Sequence, residues 1–142
     1  MSYLLDTNVL SELRRKAPDA QVQAWLAQRP VATLFLSVLT LGEIRKGIAL
    51  LADPQRRPRL LDWLETELPA FFSGRILPVD VAVADRWGRV VAEAGRPLPA
   101  IDSLLVATAA QHGLILVSRN LRHMQGLGVQ VIDPWQPAAA PA

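Results

Sequence analysis

Five short apolar runs, Ser2–Leu5, Thr33–Ser37, Ile76–Val79, Leu114–Ser118 and Val129–Ile132, are separated by longer stretches whose apolar residues recur with a period near 3.6. Those stretches are Asn8–Arg15, Asp19–Gln28, Val38–Leu51, Arg59–Phe72, Val81–Ala94 and Pro99–Gln111. Strands that alternate with helices long enough to cross over build a parallel sheet covered on both faces. Pro18, Pro58 and Pro99 sit at helix starts, and Gly74, Gly95 and Gly113 at helix ends. The expected fold class is therefore α/β: a three-layer α/β/α sandwich around a five-stranded, mainly parallel sheet.

With 142 residues, 51% of them hydrophobic and 20% charged, the chain suits one globular domain. The domain is expected over residues 1–135, with 136–142 a flexible tail rich in Pro and Ala. The chain has no Cys, which removes disulfides, Cys-ligated zinc, iron–sulfur clusters and thiol nucleophiles together. The opening Met1-Ser2-Tyr3-Leu4-Leu5-Asp6 lacks the basic region of a signal peptide. Apolar stretches are broken by Ser37, Thr40, Asp102 or Gln111-His112, short of the ~20 residues that span a bilayer. A soluble, cytoplasmic protein with no membrane partner is the expectation.

In an open parallel sheet, ligands bind beyond the carboxyl ends of the strands, where strand order reverses. Polar residues at those ends are the candidates for chemistry. Asp6 directly follows the first strand; it either caps the next helix, a job Thr7 could also do, or presents a carboxylate at the sheet edge. Glu43 lies one turn into the helix after the second strand, between the small Thr40 and Gly47; a surface pair with Lys46 is the alternative. Asp102 sits among Leu98, Pro99, Leu105 and Val106, where an unpaired charge is costly; the alternative is an acid favoured by the helix dipole. Asn120 and His123 follow the fourth strand, where Asn is a common turn residue.

Asp6, Glu43 and Asp102 come from three separate α/β units, and the topology sends all three to one edge. Clustered carboxylates raise one another's pKa unless a cation sits among them. Oxygen ligands without Cys point to Mg²⁺ or Mn²⁺, and such a site suits metal-assisted phosphodiester hydrolysis.

At these residues the sequence resembles the PIN-domain ribonucleases, most closely the VapC/FitB-like toxins of type II toxin–antitoxin systems. The similar stretches are Leu5 to Glu12, Ser37 to Ile48, Pro99 to Ala109, Leu116 to Asn120 and Gly126 to Trp135, in the family's order and spacing. The resemblance implies strand order 3-2-1-4-5, an Mg²⁺- or Mn²⁺-dependent endoribonuclease, and a cognate VapB-like antitoxin that wraps the toxin and blocks its acidic pocket. It also implies a homodimer. By position, Asp6 and Asp102 match the metal-binding aspartates, and Glu43 the acid that supports metal or water. Asn8 and Ser118 match polar residues that orient the first and last carboxylates. Family members often carry a fourth acid after the fourth strand; here those positions hold Asn120, His123 and Met124. His123 is expected instead to meet RNA phosphate or to orient a metal-bound water.

Thirteen Arg and two Lys face 13 acids, a formal charge of only +2. Arg45, Lys46, Arg119 and Arg122 flank the candidate acids and are expected to hold phosphates, whereas Arg56, Arg57 and Arg59 read as a solvated loop remote from the strand ends. Trp25, Trp63, Leu64, Phe71 and Phe72 are expected mostly in the core, and the resemblance puts antitoxin contact on these early helices. Receiver domains and dehalogenase-like phosphatases fit poorly: Asp6-Thr7-Asn8 is not Asp-x-Asp, and no Lys follows a late strand. The alternative of another class is a PIN-like module that binds RNA or a partner without cutting it.

Overall fold

In the computed structural model, which describes residues 1–137, the sheet is five-stranded and all parallel, in the order β3-β2-β1-β4-β5. The strands are β1 (Tyr3–Leu5), β2 (Leu34–Ser37), β3 (Ile76–Leu77), β4 (Ile115–Val117) and β5 (Val131–Ile132). Helices α1 (Thr7–Leu13) and α2 (Ala20–Ala27) follow β1, α3 (Val38–Ala49), α4 (Arg57–Asp62) and α5 (Leu68–Phe71) follow β2, α6 (Val81–Ala94) and α7 (Ala100–His112) follow β3, and α8 (Leu121–Met124) follows β4. The expected fold class is the observed one. The tail expected over 136–142 falls from residue 138 onward outside the described residues.

β1 is central, and all three of its residues are buried, as a parallel strand covered on both faces requires. Side chains alternate between two cores. Tyr3, Leu5, Leu34, Leu36 and Val117 join one with α1 to α5, while Leu4, Leu116, Leu105, Val106 and Val90 join the other with α6 and α7. Register pairs Leu4 with Phe35 on one side and with Leu116 on the other, and Leu5 with Val117. Chain connections leave β1 toward β2 but return to its other side at β4, so the strand order reverses between β1 and β4.

The strands are shorter than expected, with Thr33 taken into a 3-10 turn before β2, while Ser37 at the end of β2 accepts from Leu39 N–H at 3.0 Å through Oγ and caps α3. The single helix expected over Arg59–Phe72 begins at Arg57 and widens into a π-helical stretch, Trp63–Glu67, before α5. Pro69 is the physical reason: it lacks the N–H that would bond the carbonyl of Glu65, and its ring would crowd that carbonyl in a regular α-turn. Gly95 and Gly113 close α6 and α7 at φ 65°, a left-handed conformation that favours glycine. A 3-10 turn, Val31–Thr33, and α8 are too short for periodicity to reveal. Among the described residues no helix is long and apolar enough to cross a membrane.

Candidate functional site

Asp6 begins at the backbone. Its N–H donates to the Val117 carbonyl at 2.9 Å, extending the β1–β4 pairing by one residue and fixing its side chain at the strand-order reversal. The side chain is 4% exposed. One carboxylate oxygen, Oδ1, accepts from Thr7 N–H at 2.7 Å, so Asp6 does cap α1; the other, Oδ2, accepts from Ser118 Oγ–H at 2.7 Å and Asn8 Nδ2–H at 3.3 Å. The capping and site readings, set as alternatives by the sequence, hold together because a carboxylate has two oxygens.

Asn8 and Ser118 belong to this one network. Asn8 Oδ1 accepts from Arg119 N–H at 3.3 Å, and Ser118 Oγ accepts from Asn120 N–H at 2.9 Å. The turn after β4 is thereby built on the Asp6 shell, with Ser118 itself fully buried. Ser118 was expected to orient the last carboxylate. It serves the first instead, because β4 lies directly beside β1 and its end faces Asp6.

Glu43 stands across from this cluster on α3. Its Oε1 accepts from the Thr7 hydroxyl at 2.6 Å, and Thr7 Oγ1 is in turn 3.2 Å from the hydroxyl of the buried Thr40. No Glu43–Lys46 ion pair forms among the described residues. Asp102, in the first turn of α7, has a side chain 14% exposed and lies 2.9 Å through Oδ2 from Nδ1 of His123 on α8. The next residue, Ser103, is tied to the helix start through the Pro99 carbonyl at 2.8 Å and accepts from Trp87 Nε1–H of α6 at 2.9 Å. The turn that carries Asp102 is therefore held on both sides.

Burial pushes Asp6 up to about 6 from an ordinary 3.8; the hydrogen bonds from Ser118 and Thr7 pull it down, and the nearby Asp102 and Glu43 carboxylates push it further up. Thus the Asp6 carboxylate at the strand-order reversal senses the other two. No ion pair compensates Asp6 among the described residues. Nor do any three acidic or histidine side chains there form a ready-made metal shell: Glu43 is drawn to Thr7 and Asp102 to His123. One buried anchor with two outlying carboxylates, all oxygen, suits a hard cation that keeps several of its waters.

The basic residues divide differently from expectation. Arg45 pairs with Glu65 of the π-helical stretch at 2.9 Å, an exposed contact. Lys46 and Arg122 are exposed, and neither makes an ion pair among the described residues. Arg119, also exposed, stacks its guanidinium 5.0 Å from the Trp135 ring centroid. Arg56, read as remote, lines a cavity of about 180 Å³ with Thr7, Glu43 and Arg14. The loop before α4 folds back over α3, a tertiary placement that no local pattern signals. Leu64 and Phe72 are core, Trp25 and Trp63 are half-buried, and Phe71 is 50% exposed. Phe71, Trp63, Leu13, Leu26 and Leu68 line a larger, mostly apolar cavity of about 550 Å³ between the early helices.

The Asp6 shift fixes a pH dependence. Between about pH 4 and 6 the folded chain binds more protons at Asp6 than the unfolded chain does, so this group's contribution to stability falls as pH rises. It becomes a penalty of ~3 kcal/mol above pH 6 without metal. In EDTA, Asp6→Asn should gain stability relative to the parent chain between pH 4.5 and 7, measured by urea unfolding. A difference that does not change with pH would contradict it.

The sequence matches the PIN domain family over residues 3–125. Relatives similar along nearly the whole length include the VapC ribonuclease Y4jK of Sinorhizobium fredii, 35% identical over 95% of this chain and 99% of the relative. Another is toxin FitB of Neisseria gonorrhoeae, 37% identical over 93% and 97% of the two chains. Among solved structures, FitAcB from Neisseria gonorrhoeae aligns with a TM-score of 0.88 at 36% identity, covering 95% of this chain and 99% of that one. A second, FitAB bound to an IR36 DNA fragment, aligns at 0.89 and 34% identity over 96% and 98%. The chain belongs to the PIN-domain family, on the branch that holds the VapC ribonucleases and the FitB toxin.

Proposed function

We propose that the protein is the toxin of a type II toxin–antitoxin system, an endoribonuclease dependent on Mg²⁺ or Mn²⁺ and silenced by a VapB-like antitoxin. The observation that carries this reading is the buried Asp6 carboxylate, pushed up to about 6 with two further carboxylates bearing on it. Such an arrangement favours a divalent cation. Asp6, assisted by Asp102 and Glu43, would hold that ion. When bound, it supplies Lewis-acid stabilisation of the phosphate and a water acidified toward neutral pH.

The chain's own residues do the rest. Thr7, Asn8 and Ser118 keep Asp6 oriented, and the hydrogen bonds from Thr7 and Ser118 favour its ionised form. Glu43 engages Thr7 through Oε1, and its Oε2 is the oxygen we assign to take the proton of the attacking water. His123 is a positioning residue: toward the ionised Asp102 its Nδ1 donates, which leaves Nε2 to face substrate. This role replaces direct metal support by the absent fourth acid. Arg119, Arg122 and Lys46 offer phosphate contacts, and the basic surround draws RNA toward an acidic centre. A homodimer would bring two such centres to one RNA groove. The non-cutting reading is weakened by the retained carboxylates and their supporting shell.

The larger apolar cavity is the surface proposed for the antitoxin. Its exposed Phe71 and Leu13 are the kind of side chain that an amphipathic partner segment covers.

The decisive assay is RNA cleavage by the purified chain with Mg²⁺, Mn²⁺ or EDTA. Cleavage should require the ion and fall at least ~100-fold in Asp6→Asn; metal-independent cleavage, or equal activity in the variant, would sink the enzyme reading. His123→Ala should lower cleavage about 10–100-fold and alter its pH profile, with partial recovery in His123→Asn, whose amide can still donate to Asp102. For the partner, co-expression with the neighbouring antitoxin gene should relieve growth arrest by the parent chain. Phe71→Asp, with the exposed face changed and the core left alone, should remain toxic and escape relief.

A further inference from the structure

We propose that the cavity beside Glu43 is a nucleotide subsite, holding the base and phosphate of the RNA unit adjacent to the bond that is cut. The proposal rests on the ribonuclease reading above and assigns four residues to it: Arg14, Gly47, Arg56 and Trp63.

The cavity opens on Thr7 and Glu43, the pair at the edge of the carboxylate cluster, so an occupant is a direct neighbour of the reacting phosphate. Its volume of about 180 Å³ is below the ~300–1,000 Å³ of sites that engulf a drug-sized ligand, which suits a single unit of a longer strand. Arg14 and Arg56 both line it, and among the described residues neither makes an ion pair, in contrast to Arg15, Arg45 and Arg89. Two guanidinium groups free of carboxylates are suited to phosphate. Trp63 supplies an aromatic wall, with the Arg14 guanidinium 5.2 Å from its ring centroid; indole and guanidinium planes are the surfaces on which unpaired bases stack.

Gly47 also lines the cavity. It lies inside α3, where glycine is disfavoured relative to alanine, and it has no positive φ to justify it. No neighbour excludes a side chain either, since a Cβ built there meets nothing within 4 Å. A bulky side chain at this lining position would compete for the cavity's space. A base would use the Trp63 wall of this cavity, which carboxylate side chains alone would not.

The test compares Gly47→Phe, Arg56→Glu and Gly47→Ala with the parent chain on short RNAs in Mg²⁺ or Mn²⁺, after confirming each variant's thermal unfolding. Gly47→Phe and Arg56→Glu should raise KM about tenfold or more with kcat within roughly threefold. They should also flatten base preference at one position beside the cut, and leave a substrate truncated at that position unaffected. Parent-like KM and base preference in both, or an equal loss on every substrate, would overturn the subsite. If the parent chain cleaves no RNA, the ribonuclease reading fails separately. The subsite is then read in EDTA from fluorescence quenching by adenosine 5′-monophosphate. Saturable quenching that is lost in Trp63→Phe and in Gly47→Phe supports it; no quenching, or quenching by poly-glutamate alone, overturns it.

Discussion

The structure turns on one carboxylate withdrawn from water. Asp6 is buried at the end of the central strand, and an ionised carboxylate there is tolerable only with its hydrogen-bonding capacity met or a cation beside it. Thr7, Asn8 and Ser118 supply the donors. Each is placed by an element whose own position depends on the sheet: Thr7 and Asn8 by α1 leaving β1, Ser118 by the pairing of β4 with β1. The helix cap, the strand register and the turn after β4 are thus one arrangement around Asp6. Where donors end, the charge of Glu43 and Asp102 begins, and the site remains electrostatically incomplete.

Much of this arrangement was legible in the sequence, for identifiable reasons. Asp6, Glu43 and Asp102 could be found because each follows or faces a strand end, and the strand ends follow from apolar runs interrupted at the right places. The strand order came from resemblance, not periodicity, since a helical period says nothing about which side of β1 a returning strand takes. Tertiary contacts were the part that stayed hidden. Arg45 stands beside Glu43 in the chain but reaches Glu65 across a helix pair; Arg56 looks remote and lines the cavity at Glu43. His123 was singled out, but its partner Asp102 lies on another helix, and only packing of α8 against α7 brings the two within 2.9 Å.

The near-neutral formal charge conceals a separation of charge. Acids gather where the sheet's carboxyl edge is buried, whereas Arg14, Arg56, Arg119 and Arg122 stay at the rim. A polyanion meets the rim before the centre, and a cation meets the reverse. The two cavities add a further asymmetry, because Arg14 and Trp63 line both of them. A side-chain pair that walls a polar cavity on one side and an apolar one on the other gives both occupants a common boundary.

The hydrogen bond between Ser118 and Asp6 joins residues 112 positions apart in the chain. On a ribosome the chain emerges from its N-terminal side, so β4 and α8 appear after β1 and α1. Until β4 has emerged and docked, the Asp6 shell lacks its buried hydroxyl, and Asp102 lacks the helix that carries His123. A partly made chain therefore holds only fragments of the centre. The arrangement proposed above would be assembled only once the β4 and α8 segments have emerged and packed, later than the early helices proposed to meet the partner.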